Sequence, residues 1–217
     1  MYLSKTPELL KPLASSFVWD VPHVVNEVFL TFDDGPIPEV TPAILDILAE
    51  YQAKATFFCV GSNALKHPDI LGRIRSEGHA IGNHTMQHEN GWKTGQFSYL
   101  KSVLTAHESL QSTLFRPPYG RITRQQAEAL KQRFTLVMWD VLSGDFDAEI
   151  TKEQCCLNAI ESVRPGSIVV FHDSLKAKEN VLYALPLFLE HLQNMGWVSS
   201  KLSEPKKNNG DLSGSRS

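Results

Sequence analysis

Asp33 and Asp34 stand side by side in the run Thr-Phe-Asp-Asp-Gly-Pro, and His84 and His88 stand four positions apart. On a helical turn, imidazoles spaced i, i+4 project on one side and reach one metal ion. Taken alone, the same pair also reads as two capping or surface histidines. Two histidines and one carboxylate with open coordination positions make a site for zinc or another divalent metal. Adjacent carboxylates repel, and a cation within reach relieves the repulsion. One aspartate is therefore expected on the metal, and the other free as a general base for water. The bland alternative for Asp33-Asp34-Gly35-Pro36 is an Asx turn.

Two further positions fit the same chemistry. Arg116 leads into Pro117 and Pro118, which stiffen the backbone. It reads either as a cation that orients a catalytic carboxylate or as a surface ion pair. His172 closes the apolar run Ile-Val-Val-Phe. With Asp145 available as a partner it reads as a general acid, or else as a satisfied core histidine. His67, His107 and His191 fall in helical patterns and read as surface residues. The three cysteines include no Cys-x-x-Cys pair, so thiolate ligation of zinc is not expected. Free thiols suit a reducing compartment.

The elements that must bring these residues together are legible as alternating patterns. Six β-branched or aromatic runs read as strands: Val28–Phe32, Thr56–Val60, His79–Asn83, Leu114–Pro118, Thr135–Val141 and Ser167–His172. A weaker seventh is Trp197–Leu202. Amphipathic stretches lie between them, at 42–52, 64–78, 97–111, 123–133, 151–163 and 181–196. Thr41-Pro42 reads as an N-cap followed by proline in the first turn. Gly78 and Gly196 suit helix C-caps, and Pro186 a helix start or a kink. Near-continuous apolar strands alternating with helices predict a parallel sheet covered on both faces, as a doubly wound sheet or a barrel. In either, strand C-termini share one face, and the polar clusters follow the strands onto that face.

At 217 residues the chain is one domain of ordinary globular composition, 42% hydrophobic and 21% charged. Its formal charge of −3 excludes the basic excess of a nucleic-acid or anionic-membrane binder. No run approaches the length of a membrane span. Lys5, Glu8 and Lys11 interrupt the N-terminus, so no signal peptide is read and a cytoplasmic location is expected, with envelope association as the alternative. Residues 1–25 read as a lead-in anchored by Phe17, Val18 and Trp19, 26–205 as the catalytic domain, and 206–217 as a disordered tail.

The ordered series TFDDGP (31–36), HTMQH (84–88), RPPYG (116–120), DVLSGDF (140–146) and VFH (170–172) resembles the polysaccharide deacetylases, carbohydrate esterase family four. The resemblance implies a distorted (β/α) barrel of about seven parallel strands and metal-dependent removal of N- or O-acetyl groups from sugars. It implies Asp34, His84 and His88 as metal ligands, with zinc first and cobalt, nickel or iron as alternatives. It implies Asp33 as base, Arg116 as the residue that positions it, and the Tyr119 backbone N–H at the oxyanion. His172 is then the acid and Asp145 its tuning carboxylate, with Pro118, Phe146 and Val170 around the acetate pocket. The fourth motif departs from the family pattern. Phe146 stands where tryptophan is usual, and Leu142 where an acid is common.

The expected partner is an N-acetyl sugar polymer or oligomer, with no nucleic acid, membrane span or partner protein. Two alternatives remain open at this point: an amidohydrolase of a small amide or cyclic imide, and a glycan-binding barrel without turnover. An iron oxygenase gives the acid, base and arginine no clear task.

Overall fold

A computed structural model describes residues 4, 5, 7 and 17–203. The expected tail at 206–217 and most of the lead-in fall outside these. Within them lie nine strands: β1 Phe17–Val18, β2 Glu27–Asp33, β3 Thr56–Cys59, β4 Ala80–Asn83, β5 Leu114–Phe115, β6 Thr135–Val137, β7 Val141–Leu142, β8 Ile168–His172 and β9 Val198–Ser200. Seven α-helices accompany them: α1 Thr41–Glu50, α2 Gly61–Lys66, α3 Pro68–Ser76, α4 Gln96–Leu110, α5 Arg124–Leu130, α6 Lys152–Ile160 and α7 Lys178–Asn194.

Every strand pairing is parallel, in the order β1-β6-β5-β4-β3-β2-β8-β7, with β9 also on β2. Laid flat, β6 and β7 would stand six strand spacings apart, about 29 Å at the usual 4.8 Å. Only Met138, Trp139 and Asp140 join them, and that much chain spans at most about 15 Å. The sheet therefore curls into an incomplete barrel, with residues 138–140 across its open seam. Met138 N–H donates to Val18 O on one side of the seam, and Asp140 N–H to Ile168 O on the other.

Side-chain alternation divides the core in two. Val28, Leu30 and Phe32 of β2 pack outward with α1 and α7 residues such as Ile44, Leu45, Leu185 and Phe188. Phe29 faces inward, with Phe58, Leu114, Val137 and Ile168. Thr31 and Asp33 share the inward face of Phe29, by the two-residue period of a strand. The interior is thus apolar at its base and polar at the carboxyl ends of the strands.

Several local expectations change. The run 135–141 is two strands, because the chain leaves the sheet at one edge and rejoins it at the other. The expected helix 64–78 breaks at His67, where φ −128° and ψ 60° are not helical and Pro68 starts α3. Thr41 is not an N-cap but the first residue of α1. Pro186 lies inside α7. Gly78 and Gly196 do close α3 and α7, at φ 83° and 72°. Phe17 and Val18 pair with Leu136 and Val137, which ties the lead-in to the barrel. No described helix is long and apolar enough to cross a membrane.

Candidate active site

A cleft of ≈ 600 Å³ opens at the carboxyl ends of the strands, and its walls include Asp33, Asp34, His84, His88, Tyr119 and His172. Strand register builds its centre. Asp33 at the end of β2 pairs with His172 at the end of β8, on adjacent strands. Asp34 follows at φ 88°, a left-handed conformation that aspartate tolerates better than most residues and that turns it away from Asp33.

The start of α2 holds both loops that carry the candidate ligands. Val60 N–H donates to Gly35 O, Gly61 N–H to Thr85 O, and Ser62 N–H to Met86 O. Asn63 Nδ2 donates to Asp34 O at 2.9 Å. Helix-start N–H groups lack intrahelical partners, so here they fasten the neighbouring loops. His84 and His88 do not lie on a helical turn, contrary to the expectation from their spacing. Thr85 and His88 adopt φ 65° and 59°, and this tight loop brings the two rings to 5.1 Å between centroids.

The donor set fits a divalent metal. His84 Nδ1 lies 2.8 Å from Arg116 O. A carbonyl only accepts, so Nδ1 carries the proton and Nε2 keeps its lone pair. Burial pushes the His84 pKa down to about 4 against the pull of Asp33, so the ring is neutral. His84 Nε2 and His88 Nε2 lie 3.7 Å and 3.0 Å from the same oxygen, Asp34 Oδ1. Ligand atoms of the three residues all fall within 4.8 Å of one another. Burial would raise Asp34, but the hydrogen bond from His88 and the charge of His172 hold it well below the usual carboxylate range.

Beside this trio, Arg116 is fully buried and grips the base candidate. Its Nη1 donates to Asp33 Oδ1 at 2.6 Å and Thr31 Oγ1 at 2.8 Å, and its Nη2 to Met138 O at 2.9 Å. The guanidinium lies 4.1 Å from the Phe58 ring centroid. Across the cleft, the buried Asp145 accepts from the His172 backbone N–H at 2.6 Å and from ring Nδ1 at 2.7 Å. Burial disfavours the imidazolium, yet the charge and hydrogen bond of Asp145 outweigh it and raise His172 to about 9. His172 therefore has a proton to give from Nε2 at neutral pH.

The remaining expected residues divide. Val170 and Phe146 line the cleft, and the Phe146 ring lies edge-on to His172 at 5.0 Å. Tyr119 sits in a 3₁₀ turn, Pro118–Gly120, at φ 61° and ψ 10°, its ring 4.6 Å from that of His88. Pro118 is buried, and Pro117 takes the lining place expected of it. Trp139, Leu142, Arg121, Ser174 and Lys176 complete the walls.

Sequence reasoning missed Asp173. Its Oδ1 accepts from Gly35 N–H at 2.8 Å, and its Oδ2 from Thr41 Oγ1 at 2.6 Å. A Cβ at Gly35 would lie 1.8 Å from Asp173 Oδ2, so only glycine lets the turn approach this carboxylate. Burial raises Asp173 to about 7 against those two hydrogen bonds. It was visible only as a polar neighbour of His172. Thr31 could have been found, since it lies two positions before Asp33 on one strand face.

A family profile described as Polysaccharide deacetylase matches residues 21–134. A peptidoglycan-N-acetylglucosamine deacetylase of Bacillus cereus is 38% identical over 166 residues, covering 73% of this chain and 60% of that protein. A chitooligosaccharide deacetylase of Azorhizobium caulinodans is 34% identical over 166 residues, covering 73% of this chain and 79% of the relative. A crystal structure of a peptidoglycan N-acetylglucosamine deacetylase in complex with 4-naphthalen-1-yl-N-oxidanyl-benzamide superposes with a TM-score of 0.83. The two are 33% identical over 91% of this chain and 95% of that one.

Proposed function

This chain belongs to the polysaccharide deacetylase family, and on that premise we propose a metal-dependent hydrolase that removes acetyl groups from N-acetylated, or O-acetylated, carbohydrate. One observation carries the reading. The Asp33–His172 register sets a base and an acid side by side, with the Asp34, His84 and His88 donors in the same cleft. Zinc is the metal proposed first for two imidazoles and a carboxylate, with cobalt, nickel or iron as alternatives. When bound, it supplies a water of lowered pKa and a Lewis acid for the acetyl carbonyl.

Each step then falls to residues of the chain. Asp33, aimed by Arg116, accepts the proton of the attacking water. The Tyr119 backbone N–H donates to the oxygen that becomes negative. His172 Nε2 delivers a proton to the departing nitrogen, while Asp145 holds Nδ1 and steadies the charged ring. An amine leaves poorly unless protonated, so the raised pKa of His172 serves the step that needs an acid. Phe146 and Val170 form apolar wall against which an acetyl methyl group fits.

Acetate release from zinc-loaded protein tests the reading, with chitin oligosaccharide and a soluble peptidoglycan fragment as substrates. Asp33→Asn is expected to keep the metal and lose at least about a hundredfold in rate, the usual worth of a general base. His84→Ala is expected to lose the metal on dialysis. Full turnover by Asp33→Asn, or unchanged metal in His84→Ala, overturns the assignment of that residue.

A further inference from the structure

Building on the deacetylase reading, we propose that the cleft selects a glycan that bears carboxylates, and that Arg121 and Lys176 do the selecting. Both side chains line the cleft, from different loops, and both are exposed. Each stands over an aromatic ring. The Arg121 guanidinium lies 5.2 Å from the Trp92 centroid, and Lys176 Nζ lies 5.8 Å from that of Phe146. Trp92 is itself held, its Nε1–H donating to Ile122 O at 3.1 Å. The Phe146 ring packs on His172, so Lys176 borders the side from which the amine departs.

The cleft has no acid left to answer these cations. Asp33 is paired with Arg116, and Asp34 lies against His84 and His88. Among the described residues, neither Arg121 nor Lys176 makes an ion pair. The chain as a whole carries −3, so the two cations are not the edge of a generally basic surface. A neutral N-acetyl polymer offers hydroxyl and amide groups and no counter-charge. A glycan with carboxylates along its length offers one to each cation, in charge-assisted hydrogen bonds. It is also drawn to the cleft by the local field.

Three substrates separate the possibilities: a chitin oligosaccharide, a soluble peptidoglycan fragment, and the same fragment with its carboxylates amidated through a carbodiimide. Amidation is expected to lower kcat/KM by about tenfold or more, the worth of one charged hydrogen bond. The double variant Arg121→Gln/Lys176→Gln is expected to lower the ratio of kcat/KM for the unmodified fragment over the oligosaccharide by a similar factor. It should also flatten the salt dependence. Arg121→Lys with Lys176→Arg, which keeps both charges, should recover most of the ratio. An unchanged ratio in the charge-free variant overturns this inference and leaves the deacetylase reading standing. Acetate from none of the three substrates overturns both.

Discussion

Asp145 accepts both the ring Nδ1–H and the backbone N–H of His172, so a single carboxylate fixes the tautomer, the ring orientation and the charge of the acid. In the proposed mechanism turnover needs the protonated ring, so the rate should fall as pH rises through the His172 pKa. Asp145→Asn removes the anion that raises this pKa. The alkaline limb of kcat should then move to lower pH, by about one to three pH units, the usual effect of one close charge. An unmoved limb would take His172 out of the acid role. Arg116 shows the same economy. Its Nη1 and Nη2 reach three acceptors, two on β2 and one in the seam, a fork that lysine lacks. Arg116→Ala would strand a buried carboxylate and cost about 3–5 kcal/mol, read by chemical denaturation. Asp33, Asp34 and His88 were legible as candidates from residue type and order, and their separate roles only from the family resemblance. Asp173 and the Pro117 lining position needed neighbours that lie far away in the chain.

β4 supports Arg116 twice, directly where Asn83 O accepts the Arg116 backbone N–H at 3.0 Å and indirectly through Gly82 and Phe58. A Cβ at Gly82 would lie 2.3 Å from Phe58 Cδ1 on β3. Phe58 needs that space to lie against the Arg116 guanidinium. Gly82→Ala should therefore cost about 1–3 kcal/mol by overpacking and should lower kcat with metal content intact. Equal stability and equal kcat would show that Phe58 moves without disturbing Arg116. The start of α2 plays a matching part, since its N–H groups bind the loops of both Asp34 and the histidine pair. Helices and strands were legible here because their hydrophobic periods are local. The α2–α3 break at His67 and the split of 135–141 were less so. The first turns on one proline, and the second on where the sheet ends.

The barrel gathers the candidate metal donors from loops after β2 and β4, so the ion should bind only the folded chain. At a concentration one hundred times its Kd, such an ion adds about 2.7 kcal/mol. Chelation should then lower Tm by about 5–11 °C in a domain of this size. The His84→Ala variant should show no such drop. A metal-independent Tm in the parent protein would count against the donor set. The same closure explains the division between what could and could not be read beforehand. Composition, hydrophobic period and the polar clusters after successive strands determined an α/β chain with chemistry on one face. They also marked out the candidate metal donors, base and acid by residue type, while the division of roles between Asp33 and Asp34 came from the family resemblance. Three things depended on the tertiary structure alone. The curl follows from a three-residue seam between sheet edges that the sequence does not mark as edges. The pairing of Asp33 with His172 follows from strand register, which no local pattern encodes. The convergence of His84 and His88 follows from left-handed backbone at Thr85 and His88, held by hydrogen bonds from α2, and not from helical spacing.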